Sequence, residues 1–309
     1  MIDSMQTLIS YTLSATCDYA PFPTIERIGC GQKWLGVKLS DNRCGRSFLF
    51  YGEHAVYGPI TSSDCLRFRH LIGRTVEDAL VHLSECLPID AARDREDVLP
   101  GCMATALVNA LAQRVNAPDE LEKRGCTVLP SGDFELFRKD DFVVLIGAGM
   151  LMQEAVSARS EVHIVDMRST MLFSTIDITA DHVESGPANA RFHGPEDMDG
   201  LLNQATVCCM TGCTIPNGTF WKLARTLSER KRPPREIVLF GPSAQAPMEV
   251  FAENGITRVA ANRITNADAF MDALVNLPTG TSLANCTQSY AVDITGIERD
   301  SGRYSPAFS

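Results

Sequence analysis

The chain has 309 residues, of which 45% are hydrophobic, and its formal net charge at pH 7 is −10. A chain of this length can bury one large core or two smaller ones, and two domains are expected because single cores seldom grow beyond about 250 residues. The acidic balance argues against a nucleic-acid partner, since the only dense basic run, ERKRPPR, is short and is interpreted as a solvated turn.

The N-terminal segment lacks the basic start, long apolar centre and small-residue cleavage site of a secretory signal. No apolar run approaches the roughly 20 residues that span a bilayer. These patterns predict a soluble, cytoplasmic protein with no membrane partner. Eleven scattered cysteines fit reduced thiols in that compartment better than a disulfide framework.

The first 130 residues predict a small α+β domain. Residues 26–51 contain two apolar segments around the turn-forming loop SDNRCG, which favours an antiparallel hairpin. Thr75, with acidic residues in the turn that follows it, is typical of a helix start. Residues 103–115 place Ala, Leu and Val at helical spacing. Strands followed by helices indicate an α+β domain over residues 1–130.

The pattern changes near Asp140. Five short β-branched runs follow, each ending at Gly, Asp or Asn: DFVVLIG, SEVHIVD, ATVCCMTG, REIVLFG and TRVAAN. Such runs, with helical or loop-like stretches between most of them, predict a doubly wound, Rossmann-like parallel sheet over residues 131–309. Ligands bind along the carboxyl edge of such a sheet. Residues 282–309 show no strong period and are left unassigned.

Gly147 and Gly149 follow the first of these strands, and Asp166 ends the next. Glycines let the backbone turn close to a ligand, and an acid at the second strand end accepts ribose hydroxyls. Met152 stands where the dinucleotide fingerprint has its third glycine, so the match is partial. Two interpretations stay open: a nucleoside cofactor site, and tight turns in a Rossmann-like domain without a cofactor.

The segment TVCCMTGCTIPNGTFW combines a strand with the loop that follows it. Cys208 and Cys209 alternate along the strand and point to opposite faces, which favours core packing over a shared metal ion. The loop TGCTIPNGT carries Cys213 among hydroxyls and backbone N–H groups that suit a polar or anionic small molecule. A helix cap formed by Asn217 or Thr219 is the structural alternative.

Ser243 follows the next strand but lacks the sequence pattern of a nucleophile elbow, so it is interpreted as a ligand-facing or capping hydroxyl. Asn262 ends the last strand and is expected at the same edge. The predicted ligand-contacting residues are Gly147, Gly149, Asp166, Thr211, Gly212, Cys213, Thr214, Asn217, Ser243 and Asn262.

The six histidines show no HxxxH, HxH or HExxH spacing, so the sequence identifies no metal ligands. His163 alternates within a strand and is expected to be a hydrogen-bonded interior residue. His182 and His193 lie with two acids in a polar segment that is interpreted as a solvated connection.

The first half offers fewer functional candidates. Lys33 and Trp34 are placed to meet the second domain. The adjacent Glu53 and His54 suit proton transfer or a ligand pair, with a surface turn as the simpler interpretation.

Three segments together resemble the prokaryotic family called "putative heavy-metal chelation": TGCTIPNGT at 211–219, the stretch 239–270, and ATALVNAL at 104–111. The resemblance spans most of the chain. It implies a first domain similar to the N-terminal domain of enolase, a Rossmann-like second domain, and a ligand site in the cleft between them. The family's name reflects a proposed role with metals or metal-bearing cofactors and not an established activity. The turn at residues 147–149 departs from the family's usual first loop and keeps a nucleotide in consideration.

Three hypotheses follow. The leading one is binding of a polar or anionic small molecule, such as a metal chelate, in the interdomain cleft. The second is an enzyme that uses S-adenosylmethionine or a nicotinamide dinucleotide, with Asp166 on the ribose. The third is a metal sensor or carrier that uses Cys213 with nearby histidines. The sequence leaves open whether the chain is an enzyme, and a homodimer is expected only from the frequency of that state.

Overall fold

The computed structural model describes residues 2–31, 33–51, 55–129, 135–149, 151–168, 176–185, 189–277 and 283–297. The helices in these ranges are α1 (Met5–Ala15), α2 (Val76–Ser84), α3 (Arg95–Val115), α4 (Pro118–Lys123), α5 (Met152–Ser157), α6 (Met198–Leu202), α7 (Thr219–Ser228), α8 (Met248–Glu253) and α9 (Ala267–Asn276). The strands are β1 (Ile25–Gly31), β2 (Trp34–Leu39), β3 (Cys44–Phe48), β4 (Thr127–Leu129), β5 (Phe142–Ile146), β6 (Glu161–Val165), β7 (Ile176–Ile178), β8 (Val183–Ser185), β9 (Ala190–His193), β10 (Val207–Thr211), β11 (Glu236–Phe240), β12 (Arg258–Ile264) and β13 (Thr287–Asp293).

The first half contains the predicted antiparallel hairpin, formed by β2 and β3, and β1 extends it to a three-stranded sheet. Helix α3 packs across this sheet. Gly45 on β3 permits the close approach, because a Cβ atom there would collide with the backbone of Ala106 and Ala110. The helix predicted after Thr75 is α2, and the Thr75 hydroxyl accepts a hydrogen bond from the backbone N–H of Asp78.

The second half contains the predicted parallel sheet. The eight strands lie in the order β4-β13-β12-β11-β10-β5-β6-β9, and the five predicted runs are β5, β6, β10, β11 and β12, all parallel. Strand β13 lies in the unassigned C-terminal stretch and pairs antiparallel with β12. Strand β4 pairs with β13, so this sheet includes residues before 130. The mixed α/β fold is confirmed, whereas the domain division at residue 130 stays a prediction.

The core supports the interpretation of the two adjacent cysteines. Cys208 packs into the large core that also holds residues of the first half, such as Leu107, while Cys209 packs into the core on the opposite face of the sheet. Both side chains are fully buried. The prediction of core packing on opposite faces is therefore confirmed.

The structure corrects the expectation that all cysteines are reduced. Cys30 on β1 forms a disulfide with Cys65, and their Cα atoms are 6.7 Å apart. The pairing follows from tertiary structure, because the 3-10 helix Ser62–Leu71 packs along β1.

The polar segment with two histidines also differs from expectation. His193 lies in β9, paired with β6, and is therefore part of the sheet and not of a solvated connection. His163 is buried and hydrogen-bonded, as predicted. Glu53 and His54 lie outside the described residues.

None of the described helices combines the length and the apolar character needed to cross a membrane.

Candidate functional site

A cavity of about 1090 Å³ opens at the carboxyl ends of β5, β6, β10 and β11. The first half closes it with β2, β3, the start of α1 and residues 87–91. Parallel strands place their carboxyl ends on one edge, which is why loops distant in sequence meet here. Seven of the ten predicted residues line this cavity: Gly147, Gly149, Asp166, Thr211, Cys213, Thr214 and Asn217. Their contact with a ligand remains a prediction.

The two glycines after β5 have structural reasons to be glycine. Gly147 has a φ of +87°, and a Cβ atom there would lie 2.8 Å from Cγ2 of Thr211. At Gly149 a Cβ atom would lie 2.6 Å from the ring of Phe240. Close packing of this turn against β10 and β11 therefore accounts for both glycines without a nucleotide.

Asp166 is engaged by protein groups on both carboxylate oxygens. Oδ2 accepts a hydrogen bond from the N–H of Ala148 at 2.9 Å, and Oδ1 accepts one from the N–H of Arg168 at 2.9 Å. The Arg168 guanidinium adds a bidentate contact, with Nε 2.9 Å from Oδ1 and Nη2 2.8 Å from Oδ2. A ribose would have to compete with these contacts for the predicted acceptor.

The charge of Asp166 follows from the same contacts. Burial favours the protonated acid, but the hydrogen bonds from Arg168 and Ala148 outweigh burial and lower the pKa of the carboxyl below its ordinary value. The group is therefore an ionised carboxylate neutralised by one guanidinium.

The loop between β10 and α7 is organised by its own side chains. The Thr214 hydroxyl donates to the carbonyl oxygen of Thr211 at 2.7 Å. Oδ1 of Asn217 accepts from the N–H of Thr219 at 3.1 Å and from its hydroxyl at 2.8 Å. Asn217 therefore braces Thr219, the first residue of α7, but the N-cap is Gly218 and no side chain caps this helix, so the cap interpretation is wrong. Asn217 also lines the cavity.

Cys213 is a poor candidate for a bare metal ion. Burial raises the pKa of its thiol to about 11, although a hydrogen bond with Thr211 opposes the shift. Metal binding requires the thiolate, so this thiol would have to release a proton on coordination. Within the described ranges, no three His, Cys, Asp or Glu side chains are grouped closely enough to hold a metal ion. The predicted combination of Cys213 with histidines is thus not found there.

Three predicted residues do not line the cavity. Gly212 packs against the backbone of Ala244, where a Cβ atom would lie 2.8 Å from the amide nitrogen. The Ser243 hydroxyl accepts from the N–H of Phe48 at 2.9 Å and joins the two halves of the chain. Asn262 donates to the Ser289 hydroxyl at 2.5 Å, because β13 covers that side of β12.

Most of the aromatic and basic side chains that line the cavity were not predicted from the sequence. Trp34 and Lys33 were expected to meet the second half, and both line the cavity. The other aromatic and basic lining side chains include Phe48, Phe50, Trp221, Phe240, Arg168, Lys222 and Arg225. Only the position of Phe240 at the end of a predicted strand signalled this role, because the others come from elements whose docking is tertiary.

The family model described as "Putative heavy-metal chelation" (DUF364) matches residues 133–292, which is more than half of the chain. The chain belongs to this family. The resemblance inferred from the sequence motifs is thereby confirmed. No curated protein matches the sequence.

Solved structures of the same family share the fold. A DUF364 protein of unknown function from Pyrococcus horikoshii has 14% identity and a TM-score of 0.63, with 93% of this chain and 100% of that chain covered. A second, from Desulfitobacterium hafniense DCB-2, has 15% identity and a TM-score of 0.62, with 92% and 98% covered. At these identities the likeness establishes the fold alone.

An enolase structure from the Sargasso Sea environmental sequences aligns at a TM-score of 0.34 with 13% identity, covering 71% of this chain and 78% of that chain. This score is too low to support an argument. The enolase-like first domain therefore stays a prediction.

Proposed function

We propose that this DUF364 protein binds a polar or anionic small molecule at the carboxyl edge of its large sheet. The observation that carries the proposal is the convergence of four strand ends and the first half of the chain on one cavity of about 1090 Å³. A cavity of this size accommodates a ligand larger than a simple oxyanion.

Charge favours an acidic ligand group near the strand ends. Arg168 lines the cavity just after β6 and pairs with Asp166, and Lys33 lines it from the first half, while Asp90 and Asp199 also belong to the lining. The N-terminal end of α7, which carries partial positive charge, borders the same region through residues 217–219. Farther along α7 the lining is mixed, and Arg225 faces Asp3 at 3.9 Å. An anionic group is therefore best held at the strand ends, with the apolar body of the ligand against Trp34 and Phe240.

The family description directs attention to metals as cargo. Cys213 is half-buried and belongs to no described group of three metal-ligating side chains, which does not suit a bare ion. A chelated metal fits better, because the organic chelator presents carboxylates to the basic wall while it satisfies the metal itself. Lys33 and Arg168 would contact the chelator.

The test compares wild type with Lys33→Gln by thermal shift and calorimetry. The probes are inorganic phosphate, citrate and the copper(II)–citrate chelate. Loss of one charge-assisted contact is expected to weaken citrate or chelate binding by roughly tenfold, about 1.5 kcal/mol. Lys231→Gln, an equal charge change on an exposed residue outside the cavity lining, leaves binding unchanged. Failure of every probe to bind, or density for soaked citrate only away from the strand ends, refutes the proposal.

A nucleoside cofactor is the second candidate, because the turn at residues 147–149 and Asp166 line the same cavity. It requires Asp166 to exchange Arg168 for a ribose. Stabilisation by S-adenosylmethionine or NAD that disappears in Asp166→Ala supports this candidate and an enzymatic role. Stabilisation by citrate alone supports the binder.

A further inference from the structure

Four titratable side chains outside the cavity form one unbranched chain of hydrogen bonds. Glu161 Oε1 lies 3.1 Å from Nε2 of His163 on β6. Nδ1 of His163 lies 2.9 Å from Nε2 of His193 on β9. Nδ1 of His193 lies 3.0 Å from Oδ2 of Asp197 in the following 3-10 turn. Each imidazole therefore has a partner at both ring nitrogens.

Counting hydrogens determines the charge of this chain. Ionised Glu161 and Asp197 can only accept hydrogen bonds, so the two outer bonds need an N–H from each imidazole. The central bond between the rings needs a third N–H. Two neutral imidazoles carry only two N–H groups. All three bonds form together only when the pair of histidines binds one additional proton.

The surroundings place that proton on His193. His163 is buried between the ring of Phe142, 4.4 Å away, and the ring of His193. Burial lowers the pKa of His163, and the charges of His193 and Arg191 lower it as well. The hydrogen bond and the charge of Glu161 raise this pKa but do not outweigh the other effects. His163 is therefore the neutral ring that donates to Glu161 and accepts from His193. His193 then donates through both nitrogens, the outer one to Asp197.

The chain of hydrogen bonds ends at a wall of the cavity. The N–H of Asp166 donates to the carbonyl oxygen of His193 at 3.2 Å. The turn Pro195–Asp197 leads directly into α6, and Pro195, Met198 and Asp199 line the cavity. If His193 loses the proton on Nδ1 and keeps the one on Nε2, the bond between the two rings persists. Nδ1 of His193 and Oδ2 of Asp197, which are 3.0 Å apart, are then both acceptors and repel each other.

We propose that His163 and His193 form a binding site for one proton, and that this proton fixes the Pro195–Asp197 turn as one wall of the cavity. The charged groups that face the pair within the described residues are Glu161, Arg191 and Asp197. Any effect on ligand affinity rests on the proposed function. The proton site itself does not, because its bonds involve only groups of this chain.

The test is an NMR titration of ¹⁵N-histidine-labelled protein without ligand, from about pH 8 to about pH 5. The ¹⁵N shifts distinguish N–H, acceptor and charged ring nitrogens. The two rings are expected to take up a single proton with a common midpoint, and His163 keeps its proton on Nε2. Two independent protonations, or none over this range, overturn the proposal.

Asp197→Asn tests the carboxylate without removing a ring. Its amide can donate to a neutral His193, so the extra proton is no longer required and the midpoint falls by about one pH unit or more. Glu196→Gln is the matched control, since it removes a neighbouring charge that has no described contact with either ring. An equal shift in both variants contradicts the assignment.

Coupling to the cavity is read from the ¹³C-methyl signal of Met198, assigned with Met198→Leu. We expect this signal to shift with the midpoint of the histidine pair in wild type and to follow the altered midpoint in Asp197→Asn. A Met198 methyl shift that does not change at the midpoint of the histidine pair refutes the coupling. Both readouts are taken without ligand, so failure of the citrate and chelate probes leaves them intact and refutes only the proposed function.

Discussion

At the scale of single residues, the strand ends carry features that suit a ligand and also serve the fold. Gly147 and Gly149 permit a turn that packs against Thr211 and Phe240. Ser243 accepts a backbone hydrogen bond from the first half of the chain. A residue type that fits ligand binding is therefore insufficient evidence for it. The side chain must also face the cavity.

Gly147→Ala is expected to lower the free energy of unfolding by about 1–3 kcal/mol, because alanine is strained at positive φ. The added methyl also lies within 2.8 Å of Thr211. Urea denaturation measures the change. Gly200→Ala is the control, because this glycine lies in α6 with open space around the added methyl, and the variant should be stabilised by about 0.4–1 kcal/mol. Equal effects of the two substitutions contradict the argument.

Asp166 predicts a pH dependence. Its pKa is lowered in the folded state, so its stabilising contribution is present above the unfolded value of about 3.9 and is lost as the pH falls through the folded value. Asp166→Asn should be destabilised by about 2 kcal/mol at about pH 6. The difference from wild type should shrink toward about pH 3. Urea denaturation across this range provides the measurement, with exposed Asp181→Asn as the control; a constant difference for Asp166→Asn refutes the prediction.

At the scale of elements, α3 links the small sheet to the strand-end loops. It packs on β3 through Gly45, and Gly101 lies against the backbone of Pro216 in the loop after β10. The sequence indicated its C-terminal part, and the structure extends it toward Arg95 because Asp94 caps the helix. This single helix therefore positions one wall of the cavity relative to the sheet.

Asp94→Ala is expected to destabilise the protein by about 0.5–2 kcal/mol. The Asp94 carboxylate accepts hydrogen bonds from the N–H groups of Glu96 at 2.9 Å and Asp97 at 3.1 Å. Asp94→Ser should recover most of the loss, because a serine hydroxyl also caps. Thermal unfolding followed by far-ultraviolet circular dichroism reports the change. A serine variant as unstable as the alanine variant argues against capping.

At the scale of the whole molecule, the two halves share one core. The larger apolar cluster runs from α1 through α3 to β10 and α8. Asn109, on α3, donates a hydrogen bond to the carbonyl oxygen of Ser243. Asn116, at the end of α3, donates to the carbonyl oxygens of Gln245 and Ala246. Separation of the halves would expose this apolar surface and leave buried polar groups unpaired.

The shared core predicts one cooperative unfolding transition. The two tryptophans report on each half separately, since Trp34 lies in β2 and Trp221 in α7. Trp221→Phe leaves only Trp34, and Trp34→Phe leaves only Trp221. In each variant, the urea midpoint from tryptophan fluorescence should coincide with the midpoint from circular dichroism. Separate midpoints for the two probes would show that the halves unfold independently.

The alternating pattern of strands and helices determined the parallel sheet and the position of its carboxyl edge. Short, continuously apolar strands separated by helices are typical of a parallel sheet with helices on both faces. The same pattern placed Cys208 and Cys209 on opposite faces. Family membership could also be inferred from short motifs. Both the strand–helix pattern and these motifs are formed by residues close together in the sequence.

Tertiary structure alone decided which strand-end side chains face the cavity. Ser243 lies in the loop after β11, and Asn262 was expected to end a strand that in fact continues to Ile264. Packing of β3 and pairing of β13 occupy their hydrogen-bonding groups. The disulfide between Cys30 and Cys65 and the chain of bonds through His163 and His193 also join residues far apart in sequence. Periodicity specifies on which side of a strand a residue lies. It does not specify which partner reaches that residue first, because the partner comes from a different part of the chain.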